Sequence, residues 1–396
     1  MKHSTFTLLL LLCACSSQII AQDQYDKVYS NVEGMSLVLK NNLYGYIDQY
    51  GQEIVKPQYI KAGSFSEGLA IVQAGRLPGK AFKWGVIDKN GNVVIDFIYQ
   101  QVGQWYGSFE GGLVSATLPE GIGLIDRQGK MVIPFKYGSI FPFRNGMAMV
   151  SAKQGGLKYG FVDRSGKEIV APAYHKTEDF SEGMAVVGKE VRVTSSFSSD
   201  EGDVLYGYVD ISGAEVIPLS YVYAGKFSDG MASVKKDGQR FFINKKNEVV
   251  LKPDYETSYN SFNDGLCGVE KVYDTNFNKR YGFINKSGKL TIPFDYNEIT
   301  PFNGGVAAVR KGELWGVIDT RGKIVAPFEY SRIMAFKEGM AQIQKDGLWG
   351  FINANGNIVI ECIWSEVNDF KNGVGEVYDR NKKIWHRMDK RGAFAK

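Results

Sequence analysis

Apolar residues in this chain come in short strings punctuated by Gly and Asx, and one stretch shows the rule. Gly339 to Lys345 alternates in polarity, the period of a strand. Asp346-Gly347 reads as a two-residue hairpin turn, because both central residues of that turn take positive φ. Leu348 to Ile352 is the return strand. Asn353 to Gly356 is a second turn, opened by Asx and closed by Gly in the left-handed region. Asn357 to Ile360 is a third strand. Pro or an acid is expected to end it: Pro57, Asp96, Pro134, Pro172, Pro218, Pro253, Pro293, Pro327 and Glu361 hold that place along the chain. Register around Asp346-Gly347 sets Ile343 opposite Gly350 and Ala341 opposite Ile352. A mid-strand Gly marks close approach of another group, and an aromatic from a neighbouring copy is expected over Gly350.

The arrangement recurs ten times. One landmark is Gly followed by Met, Leu or Val, at Gly34, Gly68, Gly112, Gly146, Gly183, Gly230, Gly265, Gly305, Gly339 and Gly373. The other is an aromatic followed by Gly: Tyr44-Gly45, Trp84-Gly85, Tyr159-Gly160, Tyr206-Gly207, Tyr281-Gly282, Trp315-Gly316 and Trp349-Gly350. Degenerate copies stand at Ile122-Gly123, Arg240-Phe241 and Trp385-His386. The minimal repeat is 34 residues, as from Gly305 to Gly339, and nearly all extra length falls between the first and second strands. Two aromatics close each full repeat, Tyr330 and Phe336 in the eighth. Burial of such a ring contributes about 1.5–3 kcal/mol. These rings are expected to join copy to copy, because each repeat can bury its apolar face only against its neighbours.

These residues resemble the WG (KWG) repeat family of bacterial proteins. Lys83-Trp84-Gly85 matches the family's name, and Leu314-Trp315-Gly316-Val317-Ile318-Asp319 matches its usual continuation, with Trp349-Gly350 a further copy. The resemblance covers residues 30–394 and brings no catalytic residues with it. The expected fold is all-β: a tandem array of about ten three-stranded β-meanders in an open, curved solenoid, the alternative being a closed propeller-like ring. Neither end of the chain supplies a third strand to complete the other, which favours the open form. The division is residues 1–21 as a leader, 22–33 as a lead-in and 34–396 as the repeat domain.

The leader has a positive start, Met1-Lys2-His3, and a short apolar run from Thr7 to Leu12. Leu12-Cys13-Ala14-Cys15 has the form of a lipobox with Cys15 as the acylated residue; cleavage after Ala21 is the alternative. No later stretch reaches the roughly 18 apolar residues of a membrane-spanning helix. The mature part keeps Cys267 and Cys362, at different repeat positions, which are expected to be buried and inert rather than bonded to each other.

Lys and Arg number 47 against 43 Asp and Glu, with no basic stripe, so nucleic acid is not the expected partner. Outside the leader only His175 and His386 remain, far apart in the array, which argues against a metal site or a nucleophile–base pair. Ten Asx residues behind the aromatic-Gly landmark, from Asp48 to Asp389, look like a carboxylate ladder. Three of them are Asn (Asn244, Asn285 and Asn353), and each opens a tight turn, so turn capping is the expected role. No catalytic, cofactor-binding or metal-ligating residue is assigned.

Function is sought instead where the repeats differ. Insertions between the first and second strands carry Arg76, Lys80 and Phe82 in one tip, and Arg192 and Phe197 in the longest. Trp105 and Tyr106 lie in a four-residue insertion elsewhere in a repeat. Such insertions project from one face of a repeat array, often the binding face. The expectation is a non-catalytic scaffold, secreted or lipid-anchored at the cell envelope, that binds a protein. A glycan or peptidoglycan binder is the alternative, and a hydrolase with an atypical carboxylate site the third reading. Membrane contact is expected only through the anchor.

Overall fold

Each repeat opens on a turn that only a few residues tolerate. At Glu338-Gly339 both residues take positive φ, 51° and 77°, and Lys337 and Met340 exchange backbone hydrogen bonds across them. The first strand, Met340–Lys345, then runs to Asp346-Gly347, again both at positive φ, and returns as Leu348–Asn353. Ile343 faces Gly350 and Ala341 faces Ile352, the register read from the sequence. The third strand is Ile358–Trp364.

The computed structural model describes residues 24–75, 82–103, 108–191, 204–272, 275 and 278–395. Among these residues every named element is a strand and every pairing is antiparallel; no helix is long and apolar enough to cross a membrane. The fold is a tandem β-repeat array. One strand more than expected joins the sheet. A two-residue lead strand, Arg332–Ile333, pairs with Gln344 and Ile343, so the ninth repeat is a four-stranded sheet. The segment leaving one third strand runs straight on to become the next lead strand.

The chain divides into two bodies, Met1–Asp179 and Phe180–Lys396. In the first, two repeats share each seven-stranded sheet, because Glu53–Ala62 and Met131–Ile140 each serve as third strand and lead strand at once. In the second, the fifth repeat contributes Met184–Glu190, Val204–Asp210 and Glu215–Tyr221, repeats six to nine are separate four-stranded sheets, and the tenth keeps three strands.

In the eighth repeat both faces of the sheet are covered. Val306 and Ala308 pack in one cluster with Tyr330, Phe336 and, from the next repeat, Ile343 and Ile352. Their strand neighbours Ala307 and Val309 pack in another cluster with Leu266, Phe283 and Phe302 of the previous repeat. A sheet lying between two others buries residues in a continuous run rather than alternately, and Val306, Ala307, Ala308 and Val309 are all buried. The closing rings have two tasks. Phe302 and Phe370 meet the second-strand rings of Phe283 and Phe351 edge-on, with centroids 4.7 and 5.0 Å apart. Tyr59 and Tyr296 stack on Phe97 and Phe328 of the following repeat, at 6.1 and 6.4 Å. Tyr330 and Phe336 are each 2% exposed.

The mid-strand Gly has a cause other than the expected one. A Cβ at Gly350 would lie 2.3 Å from the Ile360 carbonyl oxygen and 2.7 Å from the Glu361 carbonyl carbon, both backbone atoms of its own repeat's third strand. No ring from a neighbouring repeat is among the closest atoms. The third strand bulges as it crosses the second: Trp349 pairs with Trp364 and Phe351 with Ile360, so one intervening residue on one strand faces three on the other. Pro therefore sits inside the third strand and does not end it, as Pro172 in Glu168–Tyr174 and Pro327 in Ile324–Tyr330 show. On an outer strand with a bulge, its missing N–H costs no ladder bond. The sixth repeat is the internal contrast. Phe241 replaces the Gly, and the third strand is cut to Val249–Leu251, ending before Pro253.

All ten Asx side chains cap their turns. Asp319 Oδ1 accepts from the Arg321 and Lys323 N–H groups at 2.9 Å, and Asn353 does the same for Asn355 and Asn357 at 3.0 Å. These bonds hold the carboxyls of Asp163, Asp210, Asp319 and Asp389 below the usual aspartate range. The leading cause is the Ser165 hydroxyl, the Ser212 hydroxyl, the Lys323 N–H and the Arg391 side chain respectively. A depressed carboxyl stabilises the fold above its unfolded pKa, and that contribution is lost as pH falls through the folded value. A variant with Asn at these four positions keeps the caps without the charge. Its urea midpoint is expected to fall less than that of the natural protein between pH 7 and about pH 2.5. Equal losses would show that the caps do not set acid lability.

A second ladder fastens repeat to repeat. Glu338 accepts from the Asn372 and Gly373 N–H groups at 2.8 Å, and Lys390 of that next repeat lies 3.2 Å from its carboxylate. Glu33 does the same with Glu67, Gly68 and Lys89, and Glu182 with Gly230 and Lys245. Each acid occupies the turn residue before the landmark Gly.

Candidate functional site

The lead strand follows each closing Tyr or Trp, and the fourth residue after that ring varies from repeat to repeat. After Tyr137 this residue is Phe141, whose ring centroid is 6.3 Å from that of Tyr159. After Tyr255 it is Tyr259, whose hydroxyl donates to the Ile299 carbonyl. After Tyr59 and Tyr99 it is Gly63 and Gly103. Both glycines, Gly103 at φ 81°, line a cleft of about 550 Å³ between consecutive repeats.

Tyr44 and Trp84, the aromatics of the first two aromatic-Gly pairs, line it and are half-buried. Ile71 and Val102 are buried beneath, Ala62 is half-buried, and Lys61 and Gln101 are exposed at the rim. Tyr44 is held in place: its ring is 6.3 Å from that of Tyr29. The hydrogen bond to the Tyr29 phenol, and then burial, raise its pKa. Gly63 is anchored through its backbone, where its carbonyl accepts from Tyr46 at 2.7 Å and its N–H donates to Ile71 at 3.0 Å. The volume falls within the range of about 300–1,000 Å³ typical of small-ligand sites. A third Gly at this place, Gly225, faces a different arrangement, because Arg240 replaces the aromatic and sits 4.5 Å over the Tyr223 ring.

Of the residues singled out from the sequence, Phe82 is the one candidate side chain within the described residues. It is 67% exposed, at φ 62°, and the base of its insertion is pinned. The Phe82 N–H donates to Ala74, and its carbonyl accepts from Gln73 Nε2 at 2.9 Å. It stands two residues from Trp84, so tip and cleft share one end of the sheet. Cys15, Arg76, Lys80, Trp105, Tyr106, Arg192 and Phe197 lie outside the described residues. The signature residues are structural: Trp84, Trp315 and Trp349 pair across strands with Tyr99, Tyr330 and Trp364, and Gly85, Gly316 and Gly350 underlie the third-strand crossing. Sequence reading passed over Gly63. The available signal was a missing side chain at Gly63, Gly103 and Gly225 in a column that elsewhere holds Phe141, Glu178, Tyr259, Thr300, Met334 and Asn368.

A second cavity, about 490 Å³, is lined by Lys136, Tyr137, Lys153, Glu120 and Glu168. Its central charges already satisfy one another. Lys136 Nζ and the Tyr137 hydroxyl both lie 2.8 Å from Glu168 Oε2. Lys136 first, and the Tyr137 hydroxyl after it, hold that carboxyl below the usual glutamate range.

Cys267 is buried and its thiol is pushed up to about 12 by burial, whereas Cys362 is only partly buried, short of the expected full burial; both are free. His386 lies between the Trp364 and Phe394 rings, at 5.7 and 5.2 Å. Among the described residues no group of three or more His, Cys, Asp or Glu is placed to hold a metal ion.

A family model described as a WG containing repeat matches ten stretches: residues 17–44, 44–76, 84–114, 122–155, 159–190, 206–239, 241–271, 281–315, 315–349 and 349–382. No curated protein matches the chain. Among solved structures, a eukaryotic initiation factor is similar at 10% identity and TM-score 0.32, covering 84% of this chain and 86% of its own. The extracellular domain of a putative one component system from B. thetaiotaomicron is similar at 12% identity and TM-score 0.29, covering 94% and 60%. PorZ, a bacterial surface component of the type-IX secretion system of Porphyromonas gingivalis, is similar at 13% identity and TM-score 0.22, covering 93% and 45%. The chain thus spans less than two thirds of the last two proteins.

Proposed function

This chain belongs to the WG-repeat family, and from that premise we propose that it is a non-catalytic, exported scaffold that binds another macromolecule at the hairpin-tip end of its sheets. One observation carries the reading. The repeated positions are consumed by packing, turn caps and strand crossing, while length variation, the exposed Phe82 and the aromatic cleft gather at the tips. Packed repeats with variable tips suit recognition of another macromolecule, with the tips conferring selectivity. The Asx carboxylates are engaged in capping, which leaves the hydrolase reading without a motivated pair. A protein partner is the first reading for these tips. The glycan reading gains from the cleft, whose half-buried rings offer a stacking wall.

Residues 1–21 carry the export reading, with Cys15 as the lipid attachment point at the envelope and cleavage after Ala21 as the secreted alternative. Palmitate labelling that is lost with Cys15→Ser, together with globomycin sensitivity, is expected for the anchored form. For binding, a capture experiment from envelope extract is expected to retain a partner. Deletion of residues 190–203 should reduce that capture at least several-fold without changing the melting temperature. Unchanged capture by a folded deletion variant would remove the longest tip from the interface.

A further inference from the structure

We propose that the cleft between Tyr44 and Trp84 binds a pyranose residue of an acidic glycan. The inference rests on the binding-scaffold reading and names a ligand class for its aromatic end. Three features of the cleft point the same way.

The first is that the cleft is kept open by composition. The fourth residue after the closing Tyr is Phe141 beside Tyr159, but it is Gly63 in the cleft with Trp84. Gly63 is not needed for a left-handed backbone, since it is absent from the positive-φ residues. Its backbone is fixed at both its N–H and its carbonyl. Gly63 lines the cleft without a side chain to fill it.

The second is the character of the walls. Tyr44 and Trp84 stand on consecutive repeats, each half-buried, with Tyr44 braced by the Tyr29 phenol. A pyranose presents a flat face of C–H groups to an aromatic ring and a rim of hydroxyls that need donors and acceptors. Gln101 can supply both at the edge, and aromatic side chains that are apolar over most of their surface suit the face.

The third is charge. Lys61 brings a positive charge to the rim, and among the described residues no Asp or Glu lines the cleft. A carboxylate-bearing sugar is therefore favoured over a neutral one and over a cationic ligand, for which aromatic walls would otherwise serve equally well.

The test uses the full chain and three probes: a tetrasaccharide of galacturonate, a neutral tetrasaccharide of glucose, and a decapeptide rich in Trp and Tyr. Calorimetry and tryptophan fluorescence report binding. Saturable binding of the galacturonate probe is expected, at least ten-fold tighter than the neutral one. Gly63→Phe, which puts a ring where Phe141 has one, should weaken it at least ten-fold at an unchanged melting temperature. Lys61→Ala, an exposed change that leaves the core alone, should abolish the preference for the acidic probe. The proposal is overturned if neither sugar binds, if the neutral sugar binds as well as the acidic one, or if folded Gly63→Phe and Lys61→Ala both bind like the natural protein. Binding of the peptide alone, lost in Gly63→Phe, would also overturn it and would assign the cleft to a protein ligand. Retention of a partner from envelope extract in any of these cases would leave the scaffold reading standing, so the two fail separately.

Discussion

Gly350→Ala should destabilise the protein by about 3 kcal/mol, and the same change at Gly316 by about 1 kcal/mol. The two glycines occupy the same place in successive repeats, and a sequence comparison would treat them alike. Their surroundings differ. A Cβ at Gly350 would sit 2.3 Å from a backbone carbonyl oxygen and 2.8 Å from the Cys362 nitrogen. Nothing there can yield except by moving the third strand. At Gly316 the nearest atom is the Ala326 oxygen at 3.0 Å, followed by the Phe328 ring at 3.1 Å, and a ring can shift by a few tenths of an ångström. Neither residue is at positive φ, so left-handed backbone strain does not confuse the comparison. Urea unfolding of both variants decides it. Equal losses would mean that the third-strand crossing is not what demands Gly.

The second large effect is expected from Phe336→Ala, at about 3–5 kcal/mol. Phe336 is 2% exposed and packs with Trp315, Val317 and Tyr330 of its own repeat and with Ile343 and Ile352 of the next. Removing the ring opens a cavity between two sheets that have no other way to cover those faces. In a repeat array the loss should stay near its origin, because stability is nearly a sum of repeat and nearest-neighbour terms. Hydrogen exchange should therefore accelerate in Leu314–Asp319 and Met340–Lys345 and remain unchanged in Met184–Glu190. Acceleration of the same size throughout Phe180–Lys396 would show one cooperative unit instead. Leu348→Ala, at a position 40% exposed, is the matched control and should be nearly neutral.

Much of the repeat was legible in the chain because it is encoded by neighbours in sequence. Asp346-Gly347 sets a hairpin because two residues must take positive φ, and the register follows from where that turn falls. Asp319 caps its turn through N–H groups two and four residues away. Even the burial of Tyr330 and Phe336 could be read, since a ring kept at one place in every repeat must face a core. Other features escaped because their partners are distant. Pro327 looked like a strand end, since nothing nearby in sequence reveals that the strand bulges across Gly316 and carries on. The role of Glu338 needed Asn372 and Gly373, which become its neighbours only when the sheets stack. The candidate cleft escaped for a related reason: it is made by an absence at Gly63 that matters only beside Trp84.

The amino-acid order alone thus determined the all-β class, the ten hairpins, their register and the caps that close them, because each depends on backbone preferences within a few residues. Tertiary structure decided why Gly stands in mid-strand, which acid fastens which repeat, and where a space is left between two rings. Those outcomes depend on distances between atoms about a whole repeat apart, or across a bulge, and a one-dimensional pattern of polarity carries no such distances.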